Sequence, residues 1–378
     1  MSTLAVDAIV DSSNGNTTTI NGATPTAYNT MGKNLIINGA MQIAQRGTNV
    51  TGITASSDYR TCDRVKVYIN TLGTWTVDQS TDAPNGFSNS FKITCTTADA
   101  SPVGGDYVFI GQFLEAQTLQ QLAYGSSGAV NMVLSFWVKS NKTGTGTINI
   151  KQTDNSNKQI SPTYTINSAD TWEYKTITIP ADTAGLINND NGTGMDIAWW
   201  LNSGSNYTGG TNETSWTAYD ATDRNASNIG IGGSTSDYFA ITGVQLEVGS
   251  VATEFERRPF GMELALCQRY YYKKQAAVAN EHMSVGYNSL TTESRQVFFF
   301  KVSMRTAPTA LEQSGTASDY RVQHGNTSTA CSAVPIFQSA SENQGAVILT
   351  VASGLTVGQG SILRASNTNA YLAWSSEL

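Results

Sequence analysis

Apolar and polar residues alternate with a period of two along much of this chain, and the alternation restarts repeatedly after short runs of Gly, Asn, Ser and Thr. In VNMVLSFWVKS, Met132, Leu134, Phe136 and Val138 share one face of a strand, while Val133, Ser135, Trp137 and Lys139 share the other. The same rhythm predicts strands at TINIKQT, WEYKTITIP, DIAWWLN and YFAITGVQLEV, and two more about Asn38-Gly39 in NLIINGAMQIAQRG. Phe239 and Ile241, then Val244 and Leu246 beyond Gly243, carry the spacing of a strand with a bulge. Only Phe113 to Leu122 reads as a helical interruption. Many short strands joined by turns predict an all-β fold, a jelly-roll β-sandwich over residues 34–256.

After Gly249 the period changes. Pro259 can occupy a first helical turn, Glu263 sits near the positive end, and Met262, Leu266, Cys267, Tyr270 and Tyr271 line up as an apolar face ahead of Lys273 and Lys274. This predicts a linker helix over residues 257–274. Tyr270, Tyr271 and Tyr272 cannot all face one side of a helix, so at least one meets another domain or subunit. Strand patterns resume at RQVFFFKVSM, AVILTVASGL and AYLAWSSEL, predicting a smaller C-terminal β-domain over residues 275–378. Residues 1–33 stand apart: Asn14-Gly15 and Asn21-Gly22 flank the β-prone TTTI, as in a hairpin-rich arm that gains order by pairing with another surface.

Composition narrows the function. With 22 Lys+Arg against 29 Asp+Glu the net charge is -7, and no basic run offers a track for a phosphate backbone, so nucleic acid is not an expected partner. No signal-like N-terminus and no membrane-length apolar window is visible, so membrane insertion is not expected either. The four cysteines, Cys62, Cys95, Cys267 and Cys331, are widely spaced and contain no CxxC, which reads as buried free thiols.

Catalytic signatures are missing. His282 and His324 lie in no zinc spacing, there is no GxSxG or Walker loop, and Gly230-Ile231-Gly232-Gly233 leads into strand residues, as a turn does. NNDNGTGMD, residues 188–196, fails as an EF-hand because Ile187 stands where the first carboxylate belongs. A polysaccharide-cleaving site needs two close carboxylates, and Asp196, Glu213, Asp220, Asp223 and Asp237 are neighbours in sequence but sit in or beside turn-forming text. No catalytic residue is assigned, and no enzyme is expected. Aromatic residues are more suggestive. Trp200, Tyr207, Trp216 and Tyr219 lie among small and amide side chains, a mixture that can present apolar rings beside hydrogen-bonding groups to a sugar. Trp199 and Trp200 are adjacent and point to opposite sheet faces, so one of them belongs to the core.

The words VQLEVG, FERRPFGMEL and LCQRYYYK resemble those of tail-fibre and virion-appendage proteins of tailed bacteriophages, especially short-tailed phages of marine bacteria. FLEAQTLQQL, LSFWVKS, ITIPADTAG and ITGVQLEVG together resemble the carbohydrate-binding-module-like jelly roll within such proteins, and TLAVDAIVDSSNGNTTTING resembles their particle-attaching N-terminus. The resemblance implies a non-enzymatic virion structural protein, assembled in the host bacterial cytoplasm, that contributes to attachment to a host surface glycan. It further implies a homotrimer docked through residues 1–33 onto a phage tail or capsid protein. A capsid head-fibre or decoration protein and a polysaccharide depolymerase are the alternatives. No cofactor is expected. Calcium is frequent in carbohydrate-binding jelly rolls, so a structural calcium stays open and its ligands unknown.

Overall fold

The computed structural model describes residues 32–154 and 157–378. The first β-domain contains, in chain order, β1 (Asn49–Ile53), β2 (Ser56–Tyr59), β3 (Lys66–Asn70), β4 (Thr74–Ser80), β5 (Ser90–Thr97), β6 (Tyr107–Glu115) and β7 (Met132–Ser140). It continues through β8 (Gly144–Gln152), β9 (Lys158–Ile160), β10 (Thr163–Ile166), β11 (Glu173–Ile179), β12 (Thr193–Ser203), β13 (Thr217–Ala218) and β14 (Tyr238–Val248). One sheet runs β1-β4-β5-β14-β7-β11 and the other β13-β9-β8-β12-β6-β3-β2, with β10 on β8, all antiparallel: a jelly-roll sandwich.

Alternation decides what lies between the sheets. Trp75, Phe91, Leu134, Phe136 and Ile241 project inward from the first sheet and meet Val67, Ile110, Ile148, Ile197 and Trp199 from the second. Each large side chain buried this way contributes about 1.5–3 kcal/mol by removal from water. The bulge lies at Gly243, where the β14–β7 register shifts between Thr242 and Gln245; its φ is +61° and a Cβ there would sit 2.7 Å from the Phe87 ring, so glycine is required twice over. The helical interruption is a short 3-10 turn, Ala116–Leu122, with Phe113 still in β6.

Two expectations change. NLIINGAMQIAQRG forms no strands. Asn38 takes a left-handed φ of +60° and its side chain donates to the carbonyls of Ile43 and Asp63 while accepting from Ile43 N–H, so a side chain supplies the bonds a strand ladder would have made. The helix is also shorter than residues 257–274: α1 spans Phe260–Gln268, and from Tyr271 the chain is strand β15 (Tyr271–Gln275). Of the expected face, α1 buries Cys267 but not Met262. Met262 is 45% exposed, while Glu263 is buried and accepts hydrogen bonds from Asn38 N–H and the Arg258 guanidinium. This tertiary ion pair is invisible to helical periodicity.

The C-terminal part adds β16 (His282–Asn288), β17 (Glu293–Phe299), β18 (Glu312–Gln313), β19 (Tyr320–His324), β20 (Thr327–Ala330), β21 (Ile336–Ala340), β22 (Gln344–Thr350), β23 (Gly360–Ala365) and β24 (Tyr371–Ser375). A seven-stranded sheet, β20-β19-β23-β16-β17-β22-β21, packs on the small sheet β15-β24-β18 around a second core centred on Trp374, Tyr320, Val347 and Leu363. The three tyrosines hold the junction. Tyr270 Oη donates to Glu115 (2.7 Å), Tyr271 Oη to Glu312 (2.9 Å), and Tyr272 packs in the C-terminal core. Arg64, 1% exposed, lies 3.7 Å over the Tyr270 ring and pairs with Glu377, while Arg46 lies 3.6 Å over Tyr271. All three tyrosines thus serve contacts within this chain. The N-terminal arm lies outside the described residues except for Gly32 and Lys33.

Candidate functional site

The site follows from the pleat of three strands. In β12, Met195, Ile197, Trp199 and Leu201 point into the sandwich, which forces Asp196, Ala198 and Trp200 onto the outer face. In β6, Val108 and Ile110 point inward and Tyr107 and Phe109 outward; in β3, Val67 and Ile69 inward and Tyr68 outward. Register aligns Tyr68 with Phe109 and Phe109 with Trp200 across neighbouring strands. The rings therefore stack, Tyr68 on Phe109 at 4.4 Å and 15°, and Phe109 on Trp200 at 4.4 Å and 20°. Arg224, from the short turn Ala221–Asn225, closes the row with its guanidinium 4.6 Å from the Trp200 ring.

Above this row lies a cleft of about 290 Å³ walled by Tyr68, Tyr107, Phe109, Phe113 and Tyr207, with Lys151, Asp196 and Arg224 as its charged groups. Tyr207 stands at 83° to Tyr107, 5.7 Å between centroids, and closes one end. Lys151 Nζ is 3.4 Å from Asp196 Oδ2, whereas Asp196 Oδ1 is buried with no hydrogen-bond partner, and so is Trp200 Nε1. Leaving such a group unpaired costs about 1–3 kcal/mol. Burial pushes the Asp196 carboxyl above the usual carboxylate range, and the charges of Lys151 and Arg224 offset this only in part. A cleft with apolar walls that also holds Lys151, Asp196 and Arg224 is suited to a polyhydroxylated ligand that offers both CH faces and hydroxyls.

The four aromatic residues singled out in the sequence do not share one place. Tyr207 walls the cleft, and Tyr219 is exposed at its margin, 5.6 Å from Lys151 Nζ. Trp200 is wholly buried beneath Phe109, Tyr207 and Arg224, so it offers no ring face and acts as a support. Trp216 packs elsewhere, edge-on to Tyr124 with its indole N–H donating to Pro180 O at 2.8 Å. Tyr68, Tyr107 and Phe109 went unnoticed, although KVYI and YVFI alternate aromatic and aliphatic residues in a way that places the rings on the face away from the core.

Of the other candidate carboxylates, Glu213 lies outside the cleft lining and takes part in hydrogen bonds through its backbone, while the three aspartates are occupied by structure. Asp220 caps the turn at Thr222 N–H (2.9 Å), Asp223 accepts from Thr211 N–H (2.7 Å), and Asp237 accepts from Gly232 and Ser234 N–H at 3.0 Å each. In the NNDNGTGMD loop, Asp190 accepts from Gly192 N–H (2.8 Å) and Asn191 donates to Arg305 O of the C-terminal part (2.9 Å). Among the described residues no three His, Cys, Asp or Glu side chains converge as a metal site. All four cysteines are free and buried. Burial pushes the Cys331 thiol up to about 12.

Solved structures with a similar arrangement include a putative sugar binding protein from Bacteroides thetaiotaomicron (14% identity, TM-score 0.32), aligned over 57% of this chain and 100% of that one. A family 11 carbohydrate-binding module from Clostridium thermocellum in complex with a mixed-linked tetrasaccharide aligns over 55% of this chain and 99% of its own, at 12% identity and a TM-score of 0.27. The enzymatically active domain of tailspike protein 4 of bacteriophage CBA120 aligns over 57% of this chain at 13% identity and a TM-score of 0.30, and the aligned part spans 21% of that domain. No family model and no curated protein matches the sequence.

Proposed function

We propose that this chain is a non-catalytic glycan-binding protein whose ligand lies in the aromatic cleft on the outer face of β3, β6 and β12. The observation that carries the proposal is a cleft walled by Tyr68, Tyr107, Phe109, Phe113 and Tyr207 that also holds Lys151, Asp196 and Arg224. Sugar hydroxyls bond to these charged groups, and the ring walls take the apolar faces of the pyranose. A depolymerase would need a second carboxylate across the cleft, and Asp196 is the one carboxylate lining it among the described residues.

The setting we propose is a phage virion, as a tail-fibre or appendage subunit docked through its N-terminal arm, on the resemblance of the quoted words. Several linked copies would turn weak sites into firm attachment. Self-association as a homotrimer fits the outer face of the seven-stranded sheet, where Val285, Tyr287, Phe299 and Ile336 are 64, 50, 70 and 52% exposed. Val285 pairs with Val297 and with Ile362 in register, so these three apolar residues are contiguous on that face.

A glycan array followed by titration calorimetry tests the binding claim. Tyr207→Ala should weaken binding about tenfold or more, while Trp216→Ala, remote from the cleft, should leave it within about twofold. Equal losses for the two variants, or release of reducing ends from the bound polysaccharide, would overturn it. Labelling of the arm on intact particles separates tail from head.

A further inference from the structure

Arg224 differs from most arginines of this chain in what its side chain lacks. Arg46, Arg60, Arg64, Arg258, Arg269 and Arg295 each pair with a carboxylate. Arg224 pairs with none among the described residues, although it belongs to a chain with seven more acidic than basic groups (29 against 22). Among the described residues its one hydrogen bond runs from Nε to Asn149 Oδ1, at 3.3 Å. Its plane is held by rings, 4.6 Å from Trp200, 5.4 Å from Phe109 and 6.0 Å from Tyr219. The terminal nitrogens are left as an unused fork lining the cleft.

The acids nearby are engaged. Asp223 is bound to Thr211 N–H and to Gln159 Nε2, and Gln159 in turn accepts from Asn149 Nδ2, so the amide that anchors Arg224 Nε is fixed from behind. Asp196 already pairs with Lys151 through Oδ2. A guanidinium that is always charged, planar and held in one orientation matches a planar carboxylate with two parallel hydrogen bonds, and its surroundings of buried rings strengthen the attraction.

Building on the glycan-binding function proposed above, we propose that the cleft selects an anionic glycan, a chain bearing uronic-acid carboxylates, with the sugar carboxylate on the Arg224 fork and the sugar ring against the aromatic walls. Arg224 is then the residue that determines specificity, while the ring walls supply affinity common to acidic and neutral sugars.

The test uses the full chain and paired probes: oligogalacturonate and oligoalginate, each beside the same oligosaccharide with its carboxyls reduced to alcohols. For the wild type, at least one acidic probe should bind about tenfold to a hundredfold more tightly than its reduced partner, as charge-assisted bonds imply. In Arg224→Gln the ratio should fall to near one, and in Arg224→Lys, which keeps the charge without the fork, it should lie between. Thermal melts of both variants establish that they fold. Neutral and acidic probes bound equally by the wild type, with Tyr207→Ala still weakening both, would overturn the acidic preference and leave glycan binding standing. No binding of any probe by the wild type, together with a blank broad array, would overturn glycan binding itself.

Discussion

Asp196→Asn should weaken ligand binding and leave the fold as stable as before, or more so. Asp196 is 8% exposed; Lys151 Nζ lies 3.4 Å from Oδ2, and Oδ1 has no partner. Burial raises its carboxyl above the ordinary range. A carboxyl raised on folding holds its proton more tightly in the native state than in the unfolded one. Stability therefore falls as pH rises from the unfolded value of about 4 towards the raised native one. Asparagine keeps the shape and removes the charge. In a domain of this size each kcal/mol regained raises Tm by about 2–4 °C. Binding moves the other way: a hydrogen bond to an ionised acceptor is worth about 1.5–3 kcal/mol, which is about 10- to 150-fold in affinity. Calorimetric melts at pH 7 and pH 4.5, with titration of a ligand found on the array, check both halves, and the stability gap should narrow at the lower pH. A drop in Tm of several degrees with affinity intact would refute the reasoning, because Asp196 would then be a structural group and its unpaired oxygen irrelevant to ligand.

Three further outcomes follow from the packing. Glu377→Gln removes the partner of Arg64, a guanidinium 1% exposed between the two β-domains, and should cost about 3–5 kcal/mol in a thermal or denaturant melt. The same change at Glu293, paired with the 40% exposed side chain of Arg295, should cost less than about 1 kcal/mol. Burial pushes the Asp63 carboxyl up to about 6 against the hydrogen bonds from Gln45, so stability should decline as pH rises from about 4 towards 6, and Asp63→Asn should flatten that slope in pH-dependent melts. Val285→Glu, a charge set into the exposed apolar face of β16 and β17, should shift the proposed trimer towards monomer in light scattering; a wild type that is monomeric at every concentration removes the homotrimer instead.

Much of the fold was legible because strand alternation is a local property. Met132, Leu134, Phe136 and Val138 lie inward as their spacing implies, and the bulge at Gly243 is written in the glycine and the broken period around it. Of the adjacent pair, Trp199 went to the sandwich core and Trp200 to the opposite face, and only neighbouring strands could decide which. The cleft was less legible. Tyr68, Tyr107, Asp196 and Arg224 are separated by up to 156 residues of sequence and meet only because β3, β6 and β12 are neighbours in one sheet, while Trp216, close to Tyr219 in sequence, packs against Tyr124.

The sequence by itself determined that this is a chain of half-buried strands, because a period of two can bury one face of a sheet and nothing else; it also determined where turns and the bulge must fall. Tertiary structure decided strand order, the register that stacks three rings and a guanidinium in a row, and the rotation of α1 that buries Glu263. These depend on pairings between residues far apart in the chain, and no local pattern encodes which distant edge a strand will meet.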